Sequence, residues 1–342
     1  MDLELSDEQT ALVDLFTSIA ERNCAPETVR LHETLGFAPM LWSQVVAAGG
    51  PGIAIPEANG GGGAGLLELA LAVTVFGQYL APVPLVEHVV AARLLARVSG
   101  DLPDGVVPHG VVDGTTIATI ALRPAVDGMA RLVPAGAVAH LLLALEGDDL
   151  LLVTTDPPGV AVPNLASAPL AHRAIAGGTV VASGAVAHEL YETGLAEWRA
   201  LTAAALAGLG RGALELARTY VTERQQFGKP IGSFQAIQHT LADVTVALDG
   251  AQLLARKAAW AFDSDHADAP DLAAMAFLFA SEQAQRASER ALHFHGGYGY
   301  MQEYDIQLYY RRAKGWPLVL DAPVREYRRL AAHRYGSPTG AR

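Results

Sequence analysis

The chain reads as an α+β protein ordered helix, strand, helix. Residues 5–99 and everything from about 188 onward carry apolar residues at helical spacing, while the stretch between them breaks into short β-branched runs. In the first region Leu12, Leu15, Phe16 and Ile19 recur at steps of three and four, marking one face of a helix. Ser6 is placed to cap that helix, with Gln9 three positions on to close a capping box. Gly49-Gly50-Pro51-Gly52 and the run Gly60 to Gly63 interrupt the pattern as breakers. In the middle region Thr116-Ile117-Ala118-Thr119-Ile120, Leu150-Leu151-Leu152-Val153 and Thr179-Val180-Val181 are bounded by Asp, Gly and Pro, and read as strands of a small β domain. Helical periodicity then returns. Ile237, Leu241, Val244, Leu248, Ala251 and Leu254 form a stripe suited to a helix bundle or a helix–helix subunit contact, and residues 272–294 form a second long helix. These shifts divide the chain into residues 1–103, 104–187 and 188–342.

Bulk properties narrow the function. The 342 residues include 24 basic and 36 acidic side chains, a net charge of −12, which disfavours nucleic acid and anionic membrane as partners. Local basic clusters at Arg311, Arg312, Lys314 and at Arg325, Arg328, Arg329 could still grip a phosphorylated cofactor. The single cysteine, Cys24, excludes an intrachain disulfide and fits a reducing cytoplasm. The longest apolar runs are interrupted short of the roughly 20 residues a membrane span needs. His293 and His295 have no neighbouring ligand set, so no metal site is expected.

Four motifs carry a family resemblance. They are Gly52-Ile53-Ala54-Ile55-Pro56-Glu57 with its glycine run and Glu68; Arg199 leading an Ala-rich stretch through Gly208 and Gly210; Arg224-Gln225-Gln226-Phe227-Gly228-Lys229-Pro230-Ile231 with Phe234-Gln235-Ala236-Ile237-Gln238; and His295-Gly296-Gly297-Tyr298-Gly299-Tyr300 followed by Glu303-Tyr304 and Arg311-Arg312-Ala313-Lys314. In this order, over nearly the whole chain, they resemble the acyl-CoA dehydrogenase family. The resemblance implies an N-terminal helical domain, a small middle β domain and a C-terminal four-helix bundle, with FAD held between domains and across a subunit interface. It implies α,β-dehydrogenation of an acyl-CoA thioester: a carboxylate takes the α-proton, the β-hydride goes to flavin, and an electron-transfer flavoprotein reoxidises it. Cofactor contacts fall by resemblance on Arg224, Gln226, Phe227, Gln235, His293, Gly296 and Gly297, and a substrate contact on Arg199.

Chemistry supports part of this. A guanidinium at Arg224 suits pyrophosphate oxygens, although a cation at a helix end also favours the helix dipole. Glycines at 296 and 297 permit close backbone approach, or simply end a helix. The base is where the pattern departs. The family's usual position falls on Leu320 and the minority position on Trp198, leaving Asp321 and Glu197 one step away. Asp321 could act as base with a one-residue shift, or form a turn before Pro323. The middle domain also lacks the family's flavin-facing stretch, reading Leu122-Arg123-Pro124-Ala125-Val126-Asp127 instead. The expectation is therefore the base-lacking partner of a heteromeric acyl-CoA dehydrogenase. The alternatives are a homo-oligomer using Asp321 and a binding or scaffold protein without flavin.

Overall fold

The computed structural model describes residues 4–98, 102 and 107–336. The expected boundary at 103/104 lies outside them. The N-terminal region holds α1 (Asp7–Asn23), α2 (Pro26–Leu31), α3 (Pro39–Ala47), α4 (Leu66–Gln78), α5 (Leu85–Arg97) and the short α6 (His109–Val112). Ser6 caps α1 as expected: its hydroxyl accepts from the Gln9 amide at 3.2 Å, and the Gln9 side chain accepts from the Ser6 amide at 3.1 Å. Gln9 also donates to Glu68 at 2.8 Å, whose other oxygen takes the Gly65 amide at 3.0 Å, so one acid ties the starts of α1 and α4 together.

The middle region forms β1 (Ala118–Ile120), β2 (Met129–Val133), β3 (Leu141–Glu146), β4 (Asp149–Thr154), β5 (Ala171–Ala174) and β6 (Thr179–Ser183). Four of these make a sheet in the order β1-β3-β4-β6, with β1 and β3 parallel and the rest antiparallel; β2 and β5 pair separately. The β3–β4 hairpin turns through Gly147, whose φ of 57° lies in the left-handed region that favours glycine.

The C-terminal region is a bundle of α7 (Gly184–Glu223), α8 (Gln235–Asp263), α9 (Ala269–His295) and α10 (Ile306–Leu318), followed by α11 (Pro323–Tyr335). Its first helix begins at Gly184, so the expected boundary at 187/188 falls within the first turn of α7. Every residue of α7 from 194 to 210 is buried. Small residues make that possible: a methyl at Gly208 would overlap the Thr74 carbonyl, and one at Gly77 the Ala205 carbonyl, so α4 and α7 touch backbone to backbone. Among the described residues α7 alone is long and apolar enough to cross a membrane, yet 72% of its most apolar window is buried inside the fold. It is a core helix. The stripe on α8 packs inward at Val244, Leu248 and Ala251.

Side chains lock the regions together. Asp263, at the end of α8, accepts the Leu66 and Leu67 amides at 2.6 and 2.9 Å and so caps α4. Arg123 donates to the carbonyls of Leu320 at 2.9 Å and Val319 at 3.3 Å, stapling the β domain to the end of α10. His88 on α5 is fully buried between Val111, whose carbonyl lies 3.0 Å from Nε2, and the Ala118 amide, which donates to Nδ1 at 3.1 Å. Those two bonds fix the neutral tautomer, and burial pushes its pKa down to about 4 from 6.5.

Because the folded value lies below the unfolded one, the stability that His88 contributes is complete above pH about 6.5 and is lost as pH falls toward 4. The full shift corresponds to about 3 kcal/mol. Urea midpoints measured at pH 7.5 and 4.5 should show a steeper acid loss in the native chain than in His88→Gln. Equal losses in the two proteins would contradict this role.

Candidate functional site

Two features gather the residues expected to act: an exposed edge at one end of the bundle, and a separate cavity between the N-terminal helices, the bundle and the β domain. At the edge, α7 ends on Arg224 with extended backbone (ψ 122°), and a tight hairpin of β7 (Gln225–Gln226) and β8 (Lys229–Pro230) turns the chain into α8. The hairpin turn runs through Phe227 and Gly228, both with positive φ (53° and 77°), a conformation glycine adopts freely and phenylalanine rarely. Phe227 is 92% exposed.

The end of α9 lies alongside. Tyr220 and His295 stack at 4.1 Å, joining the ends of α7 and α9, and the Arg224 guanidinium sits 6.0 Å from the Tyr298 ring. Gly296 has φ 61°, and nothing lies within 4 Å of where a Cβ would be at Gly296 or Gly297. The structure thus brings Arg224 together with the glycine turn. Phe227 lies edge-on to Phe234 at 6.2 Å, which places it near Gln235, the exposed first residue of α8. Gln226 is exposed with its amide turned onto the Gln225 carbonyl at 2.8 Å. His293 is exposed, while His295 is buried with Nδ1 on the Ala291 carbonyl at 2.8 Å, so the two histidines do not converge on one point.

A guanidinium, a glycine turn open to close approach and a bare aromatic ring fit the phosphates and rings of a dinucleotide, while the Gly296 amide itself donates to the His293 carbonyl. An aromatic ring this exposed is also what a subunit interface covers. The other expected grip on phosphate is spent inside the fold: Arg311 and Arg312 both pair with Glu33, Arg312 at 3.3 Å. Those arginines hold α10 to the segment after α2.

The cavity, of about 120 Å³ and partly open to solvent, lies between α4, α5, α7, α10 and the β domain. Phe76, Leu80, Trp316 and Val319 give it apolar walls. Trp198, at the family's minority base position, lines it. Leu320, at the usual position, is 1% exposed and packed in the core. Among the described residues the one acid on its lining is Glu87, in the first turn of α5. The Trp198 indole N–H donates to Glu87 Oε1 at 3.3 Å, and burial pushes the carboxyl up from its ordinary value. Sequence reasoning missed Glu87, because an acid in a helix's first turn needs no explanation beyond the dipole.

The two acids that the sequence does single out are occupied elsewhere. Asp321 is not on the cavity lining; its carboxylate faces Arg325 and Arg329, each at 3.4 Å, and accepts the Ala322 amide at 2.7 Å. Glu197 is fully buried, with Arg93 at 3.0 Å and Arg97 at 2.5 Å. Burial alone would push it up, but the two guanidiniums hold it below the usual range. Arg199 is likewise committed: it is 8% exposed and bonded to Glu326 at 3.0 Å, away from the cavity lining. In the β domain, Leu122 and Ala125 are buried and Arg123 holds α10, so the stretch serves packing.

Glu197 therefore has a structural role with a measurable size. Glu197→Ala leaves two arginines without their buried partner and should cost about 3–5 kcal/mol of stability in denaturant unfolding. A variant as stable as the native chain would show that the triad does not hold α5 to α7.

Known proteins agree with this architecture. The sequence model for the acyl-CoA dehydrogenase N-terminal domain matches residues 6–100, and that for the acyl-CoA dehydrogenase C-terminal domain matches residues 188–318. The acyl-CoA dehydrogenase IpdE2 of Mycolicibacterium smegmatis is 31% identical over 96% of this chain and 99% of its own length. The benzylmalonyl-CoA dehydrogenase of Aromatoleum aromaticum is 32% identical over 91% and 93%. Among solved structures, a chain of the ChsE4–ChsE5 complex from Mycobacterium tuberculosis superimposes with a TM-score of 0.87 at 27% identity, covering 99% of this chain and 100% of that one. On these grounds the chain belongs to the acyl-CoA dehydrogenase family.

Proposed function

We propose that the chain is one subunit of an FAD-dependent acyl-CoA dehydrogenase, and that it completes the FAD site of a second subunit which carries the catalytic base. The observation that carries this reading is the contrast between the exposed edge and the interior. Arg224, Gln226, Phe227, Gln235, His293, Gly296 and Gly297 are all exposed around the ends of α7 and α9. Glu197 in the interior and Asp321 nearer the surface are each held by two guanidiniums. FAD bound at that edge would supply the hydride acceptor for the β-carbon of the acyl thioester. Arg224 would bind its phosphates, the 296–297 turn would let the backbone approach them closely, and Phe227 would cover a ring face. An electron-transfer flavoprotein is the expected partner for reoxidation. That relatives of this fold occur as two-component assemblies, the ChsE4–ChsE5 complex among them, supports a heteromer.

A homo-oligomer using Asp321 is the other reading, and the pairing of Asp321 with Arg325 and Arg329 weighs against it. Co-expression with a second acyl-CoA dehydrogenase subunit separates the two. The proposal expects the chain to be colourless alone and to form a yellow, active complex with that subunit. Arg224→Ala should then weaken FAD retention about 10–100-fold, the size expected for a lost charged hydrogen bond. A chain that is yellow alone and oxidises an acyl-CoA, with activity abolished by Asp321→Asn, would overturn the heteromer. FAD content unaffected by Arg224→Ala would overturn the clamp.

A further inference from the structure

Glu87 has no part in the cofactor edge, yet among the described residues it places the one carboxyl group on a cavity wall that is mostly apolar, Arg312, Thr202 and Ser167 being its other charged or hydroxyl side chains. Burying an acid among Phe76, Leu80, Trp316 and Val319 is unfavourable unless its hydrogen-bonding capacity is used. A carboxyl offers several acceptor positions, or a donor and acceptors when protonated. Trp198 fills one of them at 3.3 Å, and the remaining protein partner is the residue's own backbone amide in the first turn of α5. Capacity is left over, and it borders open space. Burial also pushes the group toward its protonated form, in which it donates. The cavity, at about 120 Å³, limits the size of the group it can take.

We infer that Glu87 makes this cavity selective for a short acyl thioester whose acyl group bears a hydroxyl or keto oxygen, and that the Glu87 carboxyl hydrogen-bonds that oxygen. The inference rests on the family reading, which supplies the thioester, and it assigns Glu87 to recognition of the acyl group. Trp198 acts as a positioning residue, holding the carboxyl toward the cavity. A purely structural acid at a helix start would show no dependence on the ligand's oxygen.

The test is calorimetric titration of the purified full-length protein, in whatever assembly it adopts, without an electron acceptor. The probes are 3-hydroxybutyryl-CoA and butyryl-CoA, and each is titrated into the native protein, Glu87→Gln and Glu87→Leu. The native protein should bind the hydroxylated probe about ten-fold more tightly, a ratio expected of one added hydrogen bond. Glu87→Gln, which keeps a donor and an acceptor, should retain most of that preference, and Glu87→Leu should bring the ratio to about one. A native ratio near one, a ratio unchanged in Glu87→Leu, or no binding of either probe would each overturn the inference. A Glu87→Leu protein with lowered thermal stability is judged by the Glu87→Gln comparison. Flavin content, read from the visible absorbance of the same samples, reports on the Arg224 clamp separately, so failure of one reading is not mistaken for failure of the other.

Discussion

A helix of 40 residues, roughly 60 Å long at 1.5 Å per residue, has to be buried from 194 to 210 on every side, and that requirement shapes the molecule. Burial all round needs neighbours all round, which α4, α8, α9 and α10 provide. Glycine at 77 and 208 lets the α4 backbone come within touching distance. With α7 fixed in this way, one of its ends rests on the β domain and the other delivers Arg224 to the molecular edge. The stacking of Tyr220 on His295 then sets where the glycine turn after α9 must lie. The cofactor edge is a consequence of how the spine is packed.

The same constraint decides the fate of the charges on α7. A carboxylate or guanidinium inside the fold is tolerated only with a partner. Glu197 takes Arg93 and Arg97 from α5, and Arg199 takes Glu326 from α11. These pairs join the N-terminal helices and the C-terminal segment to the spine, and they remove from chemistry two residues that sequence reasoning had placed near it. Asp321 is withdrawn in the same manner by Arg325 and Arg329. Trp198 and Leu320 fill the places where the family carries a base, and the acid that does face the cavity, Glu87, arrives from a different helix.

What the sequence disclosed follows the range of the interaction. The Ser6–Gln9 capping box spans three residues and is readable directly, as is the α8 stripe through Val244, Leu248 and Ala251. The strands β1, β4 and β6 fall on the runs that predict them. The β2–β5 pair has an irregular register and no strong alternation, so its pairing follows from the fold and not from its own residues. The motif around Arg224 and Gly296 was legible because its residues are contiguous. Partners far apart in the chain were not. Glu197 meets its arginines across 104 and 100 residues, Glu87 meets Trp198 across 111, and Arg311 finds Glu33 across 278. A basic run thus read as a phosphate grip when it is an internal ion pair, and an ordinary helix-start acid gave no sign of the cavity it faces.

On this reading the 224–228 turn and the 296–300 turn together meet a dinucleotide at a junction between polypeptides. Amide hydrogen exchange, followed for both segments in the isolated chain and in the FAD-loaded assembly, tests it most directly. The account predicts that the two segments exchange quickly in the isolated chain and become protected together on assembly with FAD. Protection of neither segment, or of only one, would contradict it.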